Sequence, residues 1–201
     1  MKLLLTFILP FVIFFSCSEG KRPLKGETDF QRDLNAVFKD ASKSPLKDKD
    51  RKTFEGLEFF KFDSTYIVTA NFKRTPNAQP FKMQTTTDRT PTYIKYGEAV
   101  FHLNGKPHSL NLYMSLDMEF GGVSNTTLFL PFLDETNGLE SYGGGRYIDT
   151  EIPTGSTVII DFNTAYNPYC AYNDKYSCPL VPRDNYLKTR VEAGVMAFGK
   201  G

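Results

Sequence analysis

Two cysteines near the C-terminus, Cys170 and Cys178, enclose seven residues, and thiols at that spacing can serve three ends. They can close a disulfide, pack as plain thiols, or offer two thiolates to a metal together with His102 and His108, the two histidines of the chain. A disulfide across so short a loop would stabilise the fold by about 2 to 3 kcal/mol if unstrained. Cys-x7-Cys is looser than a zinc knuckle, so no cofactor is expected, with a metal at Cys170 and Cys178 as the one exception kept open. Upstream stands Gly143-Gly144-Gly145-Arg146, a turn whose amides and guanidinium suit an anion, or else a plain turn whose arginine pairs with Asp134, Asp149 or Asp161. It lacks the Lys-Ser/Thr of a P-loop, and neither Gly-x-Ser-x-Gly nor His-Glu-x-x-His occurs. Asp134, Glu140, Asp161 and Glu192 lie in or beside the same stretch, where a facing pair with one member desolvated could divide acid and base roles. Tyr142, Tyr147, Tyr166, Tyr169, Tyr172 and Tyr176 crowd it as well, either as a wall for stacking or as core filling.

The elements that must position these groups are mostly strands. Thr28-Asp29-Phe30-Gln31 has the form of a capping box, and Phe30, Leu34, Val37, Phe38 and Ala41 then fall on one stripe, which predicts a helix from Asp29 to Lys43. Ser44-Pro45 suits an N-cap and first position, so a second short helix is expected to run to about Phe54, stopped by Gly56. Beyond Gly56 the period drops to two. Tyr66, Val68, Ala70 and Phe72 alternate with polar or outward residues, and further strands are expected at 81–87, 93–103, 109–115, 127–133, 147–151, 157–162 and 186–195. Asn104-Gly105 marks a hairpin, since both residues tolerate the positive φ of a type I′ turn. With Phe101 and Leu103 facing inward, His102 faces out. No helix-length segment separates the strands, so the expected fold is mainly β (α+β): an antiparallel sheet or rolled, barrel-like domain with one or two N-terminal helices.

The N-terminus reads as an address. One lysine precedes an apolar run from Leu3 to Phe15, interrupted by Pro10 and too short for the roughly 20 residues of a spanning helix. Phe14-Phe15-Ser16-Cys17 resembles the lipobox of bacterial lipoproteins, which implies cleavage before Cys17 and acylation of that cysteine. Residues 1–16 are then a signal peptide, 17–28 a lipidated tether and 29–201 a single domain. The expected location is the bacterial cell envelope, lipid-anchored to a membrane and facing the periplasm or exterior, where cysteines tend to pair. Removing the leader takes one of 24 basic side chains, Lys2, and leaves a balance against 23 acidic ones. That balance argues against nucleic acid as a partner.

From Asp134 onward the sequence is distinctive. Asp134-Glu135-Thr136-Asn137-Gly138, Glu140-Ser141-Tyr142-Gly143-Gly144-Gly145-Arg146-Tyr147, Asp161-Phe162-Asn163-Thr164-Ala165-Tyr166-Asn167-Pro168-Tyr169-Cys170 and Ser177-Cys178-Pro179-Leu180-Val181-Pro182-Arg183-Asp184-Asn185 together resemble the DUF1684 family of bacterial proteins of unknown function. Ser44-Pro45-Leu46 and Phe54-Glu55-Gly56-Leu57-Glu58-Phe59-Phe60 agree, so the resemblance spans about Phe30 to Ala197. It implies no established activity. Many such relatives lack an export signal, which adds weight to metal or plain thiols, but two cysteines so close outside the cytoplasm make a Cys170–Cys178 disulfide the first expectation.

The density of Gly, Asn, Asp, Arg and Tyr in these loops points to a lipid-anchored, β-rich domain that binds a small polar or anionic ligand. Arg146 would supply charge. Asp161, Asn163 and Asn167 would orient the ligand, and Asp134, Tyr142, Gly145 and Tyr166 would line the pocket, with the Cys170 to Cys178 loop as a rim. Two alternatives stand beside it: a hydrolase using these carboxylates or a cysteine-bound metal, and a structural or assembly lipoprotein marked by a broad apolar patch.

Overall fold

The computed structural model describes residues 26–117 and 127–199. Cys17, the leader and the tether up to residue 25 lie outside the described residues. Thr28 sits extended, and its hydroxyl accepts the Gln31 N–H at 3.3 Å, starting α1 (Asp29–Lys39). The Gln31 side chain completes the cap one residue earlier than the box form implies, accepting the Glu27 N–H at 2.6 Å. α1 ends four residues before the expected Lys43, because the Asp40 carboxylate accepts both the N–H and the hydroxyl of Ser42 and so turns the chain locally. Its buried face is also more polar than the stripe suggested. Phe38 is buried, but beside it lie Gln31 and Asn35, whose carbonyl accepts the Leu57 N–H at 2.7 Å, while Ala41 is exposed. The second helix, α2 (Asp48–Lys52), starts later than Ser44-Pro45 led us to expect. The Ser44 hydroxyl accepts the Leu46 N–H instead, and Leu46 is drawn into the packing around Phe38.

Seven strands follow: β1 (Ile67–Arg74), β2 (Phe81–Lys82), β3 (Thr92–Leu103), β4 (Lys106–Ser115), β5 (Thr127–Phe132), β6 (Arg146–Glu151) and β7 (Thr157–Asp161). They form one antiparallel sheet in the order β6-β5-β4-β3-β1-β7, with the two-residue β2 added to β3. The sheet is curled into a half-barrel, its edge strands β6 and β7 coming into contact without pairing. Asn104 (φ 51°) and Gly105 (φ 73°) make the expected hairpin turn between β3 and β4.

The two faces of the sheet are both populated, and a bulge decides which residues go where. Register slips between Lys95 and Gly97, so Tyr96 has no partner on β4 and the alternation inverts. After the bulge Ala99, Phe101 and Leu103 point into the main core with Leu110, Leu112, Leu130 and Phe132. Before it, Tyr93 points to the opposite face, where it packs with Met83, Tyr113 and Phe129.

One expected strand is cut short and another is not a strand. Residues 83–87 leave the sheet after β2 and pair instead with the cysteine loop, through Thr86 N–H to the Cys178 carbonyl and Leu180 N–H to the Gln84 carbonyl. Residues 186–195 keep the alternation, with Leu187, Thr189, Val191, Ala193 and Val195 buried. Their backbone, however, bonds to scattered loop groups, Leu187 N–H to the Leu133 carbonyl and the Thr189 and Gly194 carbonyls to Glu135 and Phe60 N–H, with side chains of Arg146 and Asp134 serving Val191 and Ala193, so the segment is a strap across the core. Asn185 opens the strap in a related way. β4 and β5 splay beyond their Tyr113–Phe129 pair, and the Asn185 amide fills the gap: it accepts from Asn111 N–H (2.9 Å) and donates to the Asn111 (2.9 Å) and Pro131 (2.7 Å) carbonyls. Asn185→Leu leaves those three backbone groups without partners and is expected to cost about 3 kcal/mol. Thermal denaturation should show a fall on the order of 10 °C, and a fall of about 2 °C or less would mean that the amide is not a structural rung.

Candidate functional site

Arg146 does not face a ligand. Gly145, at φ +88°, brings the chain in so tightly that a Cβ there would lie 2.7 Å from the Phe132 carbonyl and 2.6 Å from Val181. Arg146 then opens β6 on the core side, in step with Ile148 and Thr150, and has no exposed surface. Its Nη2 donates to Asp134 Oδ2 (2.8 Å) and the Val191 carbonyl (2.8 Å), and its Nη1 to the Ala193 carbonyl. The rings of Phe132 and Phe60 lie 5.3 and 5.6 Å from the guanidinium carbon. Asp134 is equally sealed, its other oxygen accepting from Thr136 N–H (2.8 Å) and Val191 N–H (3.2 Å). Burial pulls the Arg146 pKa down and the carboxylate of Asp134 opposes that pull. The glycine-rich turn is thus the entry to a buried ion pair, which corrects the expectation that Arg146, Gly145 and Asp134 line a ligand pocket.

The polar residues of the next loop are also engaged in scaffolding. Asp161 accepts both the N–H and the amide of Asn163, and Asn163 clamps the backbone of Asp63 from both sides, at 3.1 and 3.0 Å. Asn167 donates to the Met196 carbonyl (2.9 Å) and to the Tyr172 hydroxyl (3.3 Å). Glu140 and Glu192 share Arg190 at 2.5 and 2.8 Å. His102 is exposed. His108 is half-buried against Phe101; burial lowers its pKa, and its Nε2 has no hydrogen-bond partner among the described residues. Among those residues no three His, Cys, Asp or Glu side chains gather to hold a metal. A surface depression of about 640 Å³ lies by Phe60, Phe62 and Tyr66, but its polar lining of Lys61, Asp63, Ser64 and Glu192 is an ordinary wetted surface.

What the structure does bring together lies on the outer face of the sheet. Tyr93, Phe129, Tyr147 and Tyr166 form a chain of rings with centroids 5.6, 4.7 and 5.9 Å apart. Tyr147 and Tyr166 also exchange backbone hydrogen bonds at 2.9 Å, and the Tyr147 hydroxyl donates to the Pro179 carbonyl. Asp149 is the cross-strand partner of Phe129, and its carboxylate accepts the Tyr166 hydroxyl at 2.7 Å. Solvent reaches Asp149, yet the surrounding protein desolvates the carboxylate enough to raise its pKa, against the lowering effect of the Tyr166 hydrogen bond. No described cation forms an ion pair with it. Burial raises Tyr93 to about 12 and Tyr147 and Tyr166 well above the usual phenol range, so all three stay protonated donors.

At one end of this wall are Tyr142, Cys170 and Cys178. The Tyr142 hydroxyl lies 3.9 Å from Cys170 Sγ, and the Cys170 N–H donates to Cys178 Sγ at 3.1 Å. Both cysteines are free thiols. Of the expected ligand residues, then, Tyr142 and Tyr166 reach this face. Asp149, Tyr93 and Phe129 were missed as site residues. The period of β6 alone separates Tyr147 and Asp149 from Arg146 and Ile148, whereas Tyr93 is hidden by the bulge.

A family profile described as "Protein of unknown function (DUF1684)" matches residues 52–196. Among solved structures, the solution NMR structure of the uncharacterized protein from gene locus rrnAC0354 of Haloarcula marismortui is similar to this chain. The identity is 34% and the TM-score 0.67, covering 85% of this chain and 92% of that one. No curated protein matches.

Removing one member of the sealed pair leaves the other charge buried and unanswered. Arg146→Ala is expected to cost about 3 to 5 kcal/mol in urea unfolding, and Arg146→Met combined with Asp134→Leu to recover most of that. A loss below about 1 kcal/mol for the single change would show an exposed pair of the weak surface kind.

Proposed function

The chain belongs to the DUF1684 family of proteins of unknown function, and we propose that it is a binding module whose site is the tyrosine wall around Asp149. One observation carries the reading: a carboxylate is held among rings with no cation paired to it among the described residues, so that its charge is desolvated and its hydrogen-bond partner is a neutral hydroxyl. Such a group works against stability, and proteins keep groups of that kind where function uses them. Tyr93 and Tyr147 are buried behind the partly exposed rings of Phe129 and Tyr166, which offer stacking or cation–π contact, and the carboxylate accepts hydrogen bonds. The ligand class that fits is a small molecule with amine or hydroxyl donors and a flat or apolar face, such as a protonated amine or a polyol ring. The anionic branch of the expectation loses support, because Arg146 is sealed and the charge at the wall is negative. The hydrolase reading loses support too, since Asp134, Glu140 and Asp161 are committed to structural partners.

The proposal extends to the address: the domain is held at a membrane of the cell envelope by lipid on Cys17. Cys17→Ser should leave the leader uncut and abolish incorporation of labelled fatty acid. Wild-type protein from cells that carries Met1 and no lipid would overturn the anchor.

Because the folded pKa of Asp149 is raised, the folded state holds the proton more tightly than the unfolded chain, and stability falls as pH rises through the window above the ordinary carboxylate value. Asp149→Asn should therefore melt higher than wild type at pH 7, with the difference vanishing as the pH falls below that window. In a thermal-shift screen of amines, sugars and carboxylates, an amine or sugar should stabilise wild type but not Asp149→Asn. Binding of carboxylates alone, or of nothing that separates the two proteins, would sink the proposed site.

A further inference from the structure

The cysteine pair stands apart from the ring wall as a chemical unit, and its two sulfurs are unlike. Cys178 is buried, and its backbone is stapled to Thr86, whose hydroxyl accepts the Cys178 N–H at 3.1 Å and whose N–H donates to the Cys178 carbonyl at 2.9 Å. Cys170 is half-exposed on a short turn that follows Pro168. The chain between them is anchored by Tyr172, which is buried against Phe38 with ring centroids 4.7 Å apart. The loop therefore keeps its shape without a covalent link, while the Cys170 N–H already rests on Cys178 Sγ.

We propose that Cys170 and Cys178 form a reversible dithiol–disulfide couple that exchanges with low-molecular-weight disulfides, Cys170 attacking and Cys178 resolving. This inference does not rest on the ligand reading above. The Cys170 thiolate attacks one sulfur of the small disulfide, forms a mixed disulfide and expels one thiolate. Cys178 then gives up its proton, attacks Cys170 Sγ and expels the second thiolate, which takes that proton in exchange. Two protein thiols lose two electrons, and one small disulfide becomes two thiols. The division of labour follows from the surroundings. Hydrogen bonds from Cys178, then Tyr142 and Thr86, favour the charged form and hold Cys170 down at about 6, whereas the same contact and burial push Cys178 up. A loop already anchored at Tyr172 and Thr86 can make and break the bond without losing its fold, which a purely structural bridge does not require.

The test uses reduced full-length protein. With oxidised glutathione, wild type should lose two hydrogens by intact mass, and dithiothreitol should restore them with the melting temperature and circular dichroism of the folded state retained throughout. Cys178→Ser should trap a glutathione adduct that peptide mapping assigns to Cys170, and Cys170→Ser should trap none at Cys178. Should either variant misfold, wild-type alkylation decides: at pH 7 iodoacetamide should modify Cys170 on the order of tenfold or more faster than Cys178. Tyr142→Phe should slow that reaction and move its pH midpoint upward. An internal bond that yields to reductant only after unfolding, equal alkylation of the two thiols, or no bond at all would each overturn the proposal.

Discussion

A guanidinium keeps its proton at any ordinary pH, so once Arg146 is taken out of water its charge has to be answered in place. The answer comes from two stretches of chain. Asp134 supplies the opposite charge, and the carbonyls of Val191 and Ala193 accept from the two Nη atoms, while Nε has no partner among the described residues and Asp134 also takes the N–H of Val191. The pair thereby takes up the backbone of the strap at Val191 and Ala193. Val191 and Ala193 enter the core beside this polar contact, while Leu187 is held through its own N–H bond to the Leu133 carbonyl.

Much of the fold was legible because it rests on local rules. The turn at Asn104-Gly105, the cap at Thr28 and the alternation along β1, β5 and β7 need no knowledge of distant residues. The strap shows where such rules stop: its period of two was correct but it is not a strand, because alternation reports burial and is silent about what satisfies the backbone. The same limit applies to Arg146. A charged residue after three glycines reads as exposed, and only the positive φ of Gly145 together with the side of β6 on which Arg146 falls turns it inward.

The candidate site was half legible for a related reason. Tyr142 and Tyr166 belong to the distinctive C-terminal loops, but the wall they join is completed by Tyr93 and Phe129 from strands far earlier in the chain. The unpartnered Tyr96 moves Tyr93 across the sheet, and a one-residue register shift leaves no mark in composition or period. Asp149, as one acidic residue in an alternating strand, looks like any solvated side chain until Tyr147, Tyr166 and Phe129 are seen around it.

The span of the ion pair also bears on the order in which the molecule can assemble. Residues 134 and 146 leave the ribosome well before 191–193, and a nascent chain lacking the last segment has a positive charge with an incomplete cage and a core open along one side. Loop closure over such a separation is slow compared with hairpin formation, so the β3–β4 hairpin can form early while the half-barrel stays unsealed until synthesis is complete. The native state is in this sense locked from its C-terminal end.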